Sequence, residues 1–271
     1  MLPQQALIER LRQRCRQDGR LVAAMLYGSC ARNEADRFSD IDTILFFRDE
    51  SLAEIDQRAW VSRIAPLELY YHNEFGIGVA IFSNLVRAEF HFDPASKMAD
   101  IESWQGQTWF PSLEGPLLVD KTGQLRVHLQ RLVGPPPSHD TPQDVRYLCD
   151  SFLNWYLFGT NVLARGEQAR ALEILNLVHD HLLRMGRLLE LIPERWIKPT
   201  SALEDELSPA AYRRYQACTA RLARGELWEA YAAAWTWGNE MLAALAERHS
   251  VVLPDALMAK IAEHVEQHAE A

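Results

Sequence analysis

The spacing of hydrophobic residues changes along the chain, and the change predicts two kinds of structure. Near the N-terminus, apolar residues recur at the three- and four-residue spacing of an amphipathic helix, over residues 4–17. Another helix is predicted over residues 53–64. Short apolar or alternating runs predict strands over residues 21–27, 42–47, 67–71, 79–82 and 86–92. This mixture predicts an α+β domain, in which a mixed sheet is flanked by helices.

The second half of the chain is predicted to be helical throughout. Apolar residues recur at helical spacing in long segments separated by glycine or proline, at residues 142–165, 167–191, 208–223, 226–247 and 254–269. The Gly-Pro-Pro-Pro-Ser run at residues 134–138 cannot continue a helix and forms a stiff linker. We therefore predict one domain over residues 1–134 and a C-terminal helical bundle over residues 135–271.

Composition and charge narrow the classes of function. The chain has 271 residues, 48% of them hydrophobic, as in an ordinary packed globular protein. Its net charge of −9, without a dense Lys/Arg stripe, argues against a nucleic acid partner. The four cysteines match no zinc spacing and indicate reduced thiols. With no signal-peptide pattern and no membrane-spanning apolar stretch, we expect a cytoplasmic protein that does not bind membranes.

The most informative motif joins the ends of two apolar runs. Gly28 and Ser29 end the first run, and Asp40 and Asp42 begin the second. Side chains two residues apart in a strand project to the same side. Two such carboxylates repel by about 4 kcal/mol at an effective dielectric of about 20, and a cation removes that repulsion. The pair therefore predicts a Mg²⁺ site, because Mg²⁺ binds carboxylate and phosphate oxygens. Solvated acids at a strand start are the alternative.

The turn after the first run predicts the phosphate side of the same site. Gly28 allows close approach of the backbone, and the Ser29 hydroxyl and nearby N–H groups can donate to phosphate oxygens. Arg32 and Asn33 add donors just beyond. An ordinary helix N-cap is the alternative for Ser29. In the helical half, Arg170 could reach phosphate oxygens across a cleft between the domains, with simple surface solvation as its alternative.

A third carboxylate is the candidate general base. In the alternating strand over residues 86–92, Arg87, Glu89 and His91 share the polar face. Attack of a hydroxyl on a phosphate needs a proton acceptor, and a carboxylate near the metal can supply one, so Glu89 is the candidate. An exposed glutamate paired with Arg87 or Arg48 is the alternative. His91 has suitable chemistry for proton transfer, but a structural role beside phenylalanines is favoured.

Taken together, these motifs resemble the lincosamide nucleotidyltransferases, and most closely the larger, two-domain type. The likeness covers nearly the whole chain and rests on residues 25–29, 39–42, 73–76, 81–92, 122–125, 161–170 and 222–231. The resemblance implies a polymerase-β-like nucleotidyltransferase domain with a mixed sheet, followed by a helical domain that binds the second substrate.

The activity that the resemblance implies is transfer of a nucleoside monophosphate from an NTP, such as ATP, to a hydroxyl of lincomycin or clindamycin, with release of pyrophosphate. Carried onto this chain, Asp40 and Asp42 would bind Mg²⁺, Gly28 and Ser29 would hold the triphosphate, and Glu89 would accept the hydroxyl proton. Related antibiotic nucleotidyltransferases form dimers, so we also expect a homodimer.

Three rival functions stay open. The acceptor could be an aminoglycoside, although the supply of aromatic residues here suits a lincosamide better than a polycation. The chain could adenylylate another protein, although its helical half argues against this. It could also be a non-catalytic nucleotide-binding module, which the joint presence of Gly28, Ser29, Asp40, Asp42 and Glu89 disfavours.

Overall fold

The structure, a computed structural model, describes residues 2–269. The chain divides into two compact units, and the boundary lies between Pro136 and Pro137, within the proline run. Each unit has its own hydrophobic core. Within residues 2–269, no helix combines the length and the apolar character that crossing a membrane would require.

The N-terminal unit is built on a six-stranded sheet. Its strands are β1 (Leu21–Tyr27), β2 (Ile41–Phe47), β3 (Leu67–His72), β4 (Gly78–Phe82), β5 (Arg87–Pro94) and β6 (Leu117–Asp120). The spatial order is β3-β4-β5-β2-β1-β6. Strands β2 and β5 are parallel, and every other neighbouring pair is antiparallel. The predicted mixed sheet is therefore confirmed.

Helices flank this sheet, as predicted. They are α1 (Pro3–Gln17), α2 (Gly28–Ala31), α3 (Asp49–Leu52), α4 (Gln57–Ser62) and α5 (Gln124–Gln130), with a 3₁₀ segment over Ala95–Trp104. The buried side chains Leu7, Leu11 and Cys15 form one stripe along α1 and join the core of the sheet. The Trp60 ring of α4 meets Phe47 and Phe92 edge to face, with ring centroids 5.9 and 5.6 Å away.

The helix predicted over residues 53–64 is present but shorter, because α4 begins at Gln57 and ends at Ser62. Helix α3 ends at Leu52, before that range, and residues 53–56 separate it from α4. Asp56 explains the new start, because its carboxylate accepts the backbone N–H of Ala59 and caps α4. Strand β6, which has only four residues, and α5 behind it were not predicted from the sequence.

The C-terminal unit is a helical bundle, as predicted. Its helices are α6 (Pro142–Ala164), α7 (Gln168–Leu189), α8 (Leu203–Glu206), α9 (Pro209–Ala217), α10 (Arg224–His249) and α11 (Asp255–Ala269). Thr141 and Asp144 form a capping box at the start of α6, with proline in the first turn. The segment predicted over residues 208–223 is shorter, because α9 ends at Ala217 in a tight turn.

Two buried tyrosines connect the three longest helices of this bundle. The Tyr156 hydroxyl in α6 donates to the backbone oxygen of Tyr231 in α10 at 2.9 Å. The Tyr231 hydroxyl donates to the backbone oxygen of Ala171 in α7 at 2.8 Å. Each hydroxyl is therefore satisfied inside the apolar core, as burial of a polar group requires.

Candidate active site

Neighbouring strands bring two of the predicted carboxylates together on the sheet. Asp42 pairs with Tyr27 in the antiparallel ladder of β1 and β2, and with Glu89 in the parallel ladder of β2 and β5. Register partners on adjacent strands project to the same face, about 5 Å apart. Tyr27, Asp42 and Glu89 therefore form one row across three central strands.

Arg87 links the third carboxylate to this row. Its Nη1 donates to Asp40 Oδ2 at 2.7 Å, and its Nη2 donates to Glu89 Oε1. The pairing with Arg87, which was the alternative for Glu89, is thus present. It does not make Glu89 a lone surface glutamate, because the same guanidinium also binds Asp40. The Glu89 side chain is only 20% exposed. One cation thus offsets part of the repulsion among the carboxylates.

The bend after β1 fits closely against Asp42. Gly28 has a φ of +67°, in the left-handed region that favours glycine. A Cβ placed on Gly28 would collide with the Asp42 carboxylate oxygen Oδ2. Tyr27 is the N-cap of α2, and Ser29 lies within that short helix. The capping alternative for Ser29 is therefore wrong.

Cys30 lies beside both aspartates, although the sequence analysis did not select it. Its thiol donates to the backbone oxygen of Asp40 at 3.3 Å. Burial first, and then the negative charges of Asp42 and Asp40, raise the pKa of this thiol to about 11. The thiol therefore stays protonated at neutral pH. A cysteine directly after the predicted phosphate turn was the signal that could have identified it.

A neutral polar pair lies next to the carboxylates. The Tyr27 hydroxyl lies 2.9 Å from His91 Nε2, and the Trp104 ring packs edge to face on Tyr27. Burial raises the pKa of Tyr27, and the nearby charges of Asp42 and Glu89 add to the shift. Burial also lowers the pKa of His91. The tyrosine therefore stays protonated and the imidazole neutral, and the direction of their hydrogen bond depends on which ring nitrogen of His91 carries the proton.

The three other residues that were predicted to contact phosphate lie in different parts of the chain. Arg32 directly follows α2, and its Nε donates to Glu34 Oε2 at 3.0 Å. Asn33 has a φ of 60°, so the chain turns there. Arg170 belongs to the C-terminal unit, where its Nη1 lies 3.3 Å from Glu167 Oε2. The phosphate contacts predicted for these residues stay predictions.

The carboxylates have the chemistry of a magnesium site that is completed by other ligands. Within residues 2–269, no three His, Cys, Asp or Glu side chains converge as a protein-only metal site would require. Asp40 and Asp42 could nevertheless supply two hard oxygen ligands. Asp42 also occupies the space that a side chain at position 28 would fill. These residues fit Mg²⁺, which commonly takes one or two carboxylates and completes its shell with water and phosphate oxygens.

Solved structures with a similar course of the chain include an aminoglycoside 6-adenyltransferase from Bacillus subtilis, with 15% identity, 98% of this chain and 97% of that one covered, and a TM-score of 0.46. A nucleotidyltransferase-like protein from Exiguobacterium sibiricum has 14% identity, 88% and 77% coverage, and a TM-score of 0.39. A CCA-adding enzyme in complex with CTP has 14% identity, 98% and 73% coverage, and a TM-score of 0.31. TM-scores below 0.5 do not establish a shared fold.

Among curated proteins, no significant match is found. Two family models, in contrast, match the two halves of the chain. Residues 8–101, which include Gly28, Asp40, Asp42 and Glu89, match the nucleotidyltransferase domain. Residues 141–264, which span most of the helical bundle, match the C-terminal domain described as lincosamide nucleotidyltransferase-like. The chain therefore combines a nucleotidyltransferase domain with a helical half that contains a lincosamide nucleotidyltransferase-like C-terminal domain.

Proposed function

We propose that the chain transfers a nucleoside monophosphate from an NTP, with ATP as the expected donor, to a hydroxyl of a lincosamide such as lincomycin or clindamycin. The observation that carries this proposal is the register of β2 and β5, which pairs Asp42 with Glu89. That pairing joins the candidate metal ligands to the candidate base on one face. The match of the helical half to a lincosamide nucleotidyltransferase-like domain supports the choice of acceptor.

The proposed chemistry assigns one task to each part of the site. Asp40 and Asp42 would hold Mg²⁺, which when bound stabilises negative charge on the attacking and leaving oxygens. The bend at Gly28 and Ser29 would hold the triphosphate through backbone N–H groups and the serine hydroxyl. Glu89 accepts the proton of the acceptor hydroxyl, whose oxygen bonds to the α-phosphorus. The bond from that phosphorus to the bridging oxygen breaks, and pyrophosphate leaves.

Arg87 and Tyr27 act on this chemistry through the carboxylates. Arg87 binds Asp40 and Glu89 together, so it fixes the base relative to one metal ligand. The protonated hydroxyl of Tyr27 lies among Asp42, Glu89 and His91 and limits their movement. Fixed positions matter because small displacements of catalytic groups reduce rates strongly.

The face that carries Glu89 continues into an apolar surface, which suits an acceptor with an apolar part. Register across β4 and β3 gives this face the side chains of Val79, Ile81, Leu69 and Tyr71. Leu69 is 43% exposed and Tyr71 is 47% exposed. At about 5 Å per strand, Tyr71 lies roughly 10 Å from Glu89, within the span of a small acceptor.

This distribution favours a lincosamide over an aminoglycoside. A lincosamide carries one amine, a sugar and an apolar alkyl tail, so apolar surface beside the base is useful to it. An aminoglycoside carries several positive charges and needs several carboxylates in its pocket. Strands β3 and β4 offer Leu69, Tyr71 and Ile81 here in place of such carboxylates.

The proposal is tested by the mass of the product. The full chain is incubated with ATP, Mg²⁺ and clindamycin, with kanamycin in a parallel reaction. We expect clindamycin to gain one AMP group, pyrophosphate to appear in equal amount, and Asp42→Asn to abolish both. Modification of kanamycin alone would replace the proposed acceptor. Label from ATP that enters a protein would support the protein-modifying rival, and no pyrophosphate with any acceptor would contradict the proposed activity.

A further inference from the structure

A second concave site lies along β6, the edge strand of the sheet. It is a cavity of about 450 Å³, lined by Arg12, Arg16, Lys121 and Arg126, with Asp120 and apolar residues of β6 beside them. These four cationic side chains define what we call the basic groove. They come from α1, from the end of β6 and from α5, so distant parts of the sequence meet here.

The end of the groove that carries Lys121 lies away from the candidate active site. Lys121 follows the end of β6, and its backbone N–H donates to the oxygen of Val22 at 3.0 Å, near the start of β1. Gly28, in contrast, follows the end of β1. A seven-residue strand is about 20 Å long at roughly 3.3 Å per residue. The groove cation Lys121 and the candidate phosphate turn therefore lie at opposite ends of that strand.

Two of the groove cations are held in place without being neutralised. Lys121 Nζ donates to the backbone oxygen of Asp18 at 2.7 Å. Arg12 Nη1 donates to the backbone oxygen of Leu118 at 2.7 Å. Backbone carbonyls carry no formal charge, so these bonds fix the cations and leave their charge in the groove. The ion pair of Arg12 with Glu9 is at 3.4 Å, and Glu9 is well exposed and so screened by water.

The carboxylate that lines the groove, that of Asp120, already accepts hydrogen bonds from the backbone. Asp120 Oδ1 accepts the backbone N–H of Gly123 at 2.7 Å, and Oδ2 accepts that of Arg126 at 2.9 Å. In the part of the chain that the structure describes, the guanidinium groups of Arg16 and Arg126 make no hydrogen bond or ion pair. Among the lining side chains, four positive charges stand against one negative charge, on a chain whose net charge is −9. The exposed carboxylates Glu9 and Glu114 lie outside the lining, near Arg12 and Arg126.

We propose that the basic groove is a second anion site, which binds a linear polyphosphate chain either as a free anion or as part of a nucleotide. Arginine guanidinium groups bind phosphate oxygens in a bidentate manner, and several of them favour a ligand with several phosphates over a single small anion. The cavity volume lies within the usual range for small-molecule sites. Burial lowers the pKa of Lys121, so an anion there would offset a real desolvation cost.

If the groove cations only protect the edge strand from association, the expected binding result is the opposite. Lys and Arg beside an edge strand can also prevent association between sheet edges. In that case the groove binds no polyphosphate, and removing its charges promotes self-association without changing any affinity. The two roles are therefore distinguished by binding measurements combined with the oligomeric state.

The test uses inorganic triphosphate and calorimetry on the full chain in buffer with EDTA, which removes the divalent ions that the candidate active site would need. We expect one binding site, with affinity that falls as salt increases. Arg16→Gln/Arg126→Gln should weaken binding at least tenfold. The matched control is Arg10→Gln/Arg63→Gln, which makes the same charge change at exposed residues outside the groove and should retain the wild-type affinity.

Two further comparisons identify the source of the polyphosphate and distinguish failure of the anion site from failure of the proposed transfer activity. Pyrophosphate, triphosphate and ATP are compared, because binding of ATP but not of the free anions would indicate a nucleotide. Asp42→Asn should leave binding in EDTA unchanged even though it abolishes transfer. The proposal is overturned if the wild type does not bind in EDTA, if the groove variant and the control lose affinity equally, or if the groove variant only self-associates.

Discussion

Gly28 and Asp42 are so close that the carboxylate of Asp42 occupies the space that a side chain at position 28 would need. In the sequence, a bend and a loop separate the two residues. The pairing of Tyr27 with Asp42 in the sheet brings them together. The left-handed backbone at Gly28, with φ of +67°, independently requires glycine. Position 28 is thus restricted both by conformation and by space.

Gly28→Ala should therefore remove activity by more than its effect on stability would explain. The added Cβ strains the left-handed backbone by roughly 1–2 kcal/mol and also displaces the Asp42 carboxylate. We expect pyrophosphate release to fall about 100-fold or more, with the fold retained. The rate is measured by pyrophosphate detection, and the fold by thermal unfolding.

Gly106→Ala provides the matched control. Gly106 also has a left-handed backbone, with φ of +81°, but a Cβ there would meet nothing within 4 Å. It should lose similar stability and keep its activity. If both variants lost activity equally, backbone strain would be the cause, and the fit between Gly28 and Asp42 would have no functional meaning.

The carboxylates should differ in how their loss affects transfer. Asp40→Asn and Asp42→Asn remove candidate metal ligands, so the rate should fall about 1000-fold and extra Mg²⁺ should restore part of it. Glu89→Gln removes the candidate base and should lower kcat by about 10²–10⁴, which extra Mg²⁺ should not restore. Titration of Mg²⁺ against initial rate separates the two cases. Near-normal turnover in any of these variants would refute its assignment.

Loss of Arg87 should lower the rate and at the same time strengthen Mg²⁺ binding. Arg87 binds Asp40 and Glu89 at once, so Arg87→Gln frees both carboxylates to move, and kcat should fall about tenfold. The same change removes a positive charge, so the Mg²⁺ concentration for half-maximal rate should decrease. Arg48→Gln, at an exposed arginine, should alter neither. A lower rate with an unchanged or higher Mg²⁺ requirement would contradict this role.

The parts of the fold that could be predicted from the sequence are those with a strong local pattern. The run over Leu21–Tyr27 is apolar and ends at a glycine, and β1 has those bounds. The helix predicted over residues 53–64 begins later than expected because a single capping side chain, Asp56, sets its start at Gln57. Strand β6 was missed because Leu117–Asp120 is too short to show alternation.

The candidate site could be predicted as a set of residues, but not as an arrangement. Asp40 and Arg87 are 47 positions apart, and only the parallel pairing of β2 with β5 makes them neighbours. No local pattern encodes such a pairing, since it depends on the order of strands in the whole sheet. The basic groove was hidden for the same reason, because Arg16 and Arg126 meet only in space.

The pair of Tyr27 and His91 should contribute mainly to stability. The Tyr27 hydroxyl lies 2.9 Å from His91 Nε2, and removing it leaves a partly buried ring nitrogen without its hydrogen-bond partner. Tyr27→Phe should therefore lower the free energy of unfolding by about 1–3 kcal/mol, measured by urea denaturation. The double variant with His91→Phe should be destabilised by less than the sum of the single variants. Strict additivity would show that the two side chains do not interact.

A single buried carboxylate should govern the response of the N-terminal unit to acid. Asp18 accepts hydrogen bonds from Arg20, from Arg14 Nη2 at 3.0 Å and from Trp60 Nε1 at 2.9 Å. The bonds from Arg20 are the largest cause of a pKa for Asp18 well below its usual value, and burial opposes them only in part. The folded unit therefore favours the ionised form.

The sign of the pH effect follows from that lowered pKa. An unfolded aspartate titrates near 3.9, so the stability gained from Asp18 is fully present above about pH 4 and is lost as the pH falls towards the folded pKa. Asp18→Asn should lose about 3 kcal/mol at pH 7, because the mostly buried guanidinium of Arg14 keeps its charge without a carboxylate partner. Its stability should then depend less on pH between about 4 and 2. Asp150→Asn, at a carboxylate that is about half exposed, should keep the wild-type profile. An unchanged acid profile in Asp18→Asn, measured from urea midpoints at each pH, would assign the acid sensitivity to other groups.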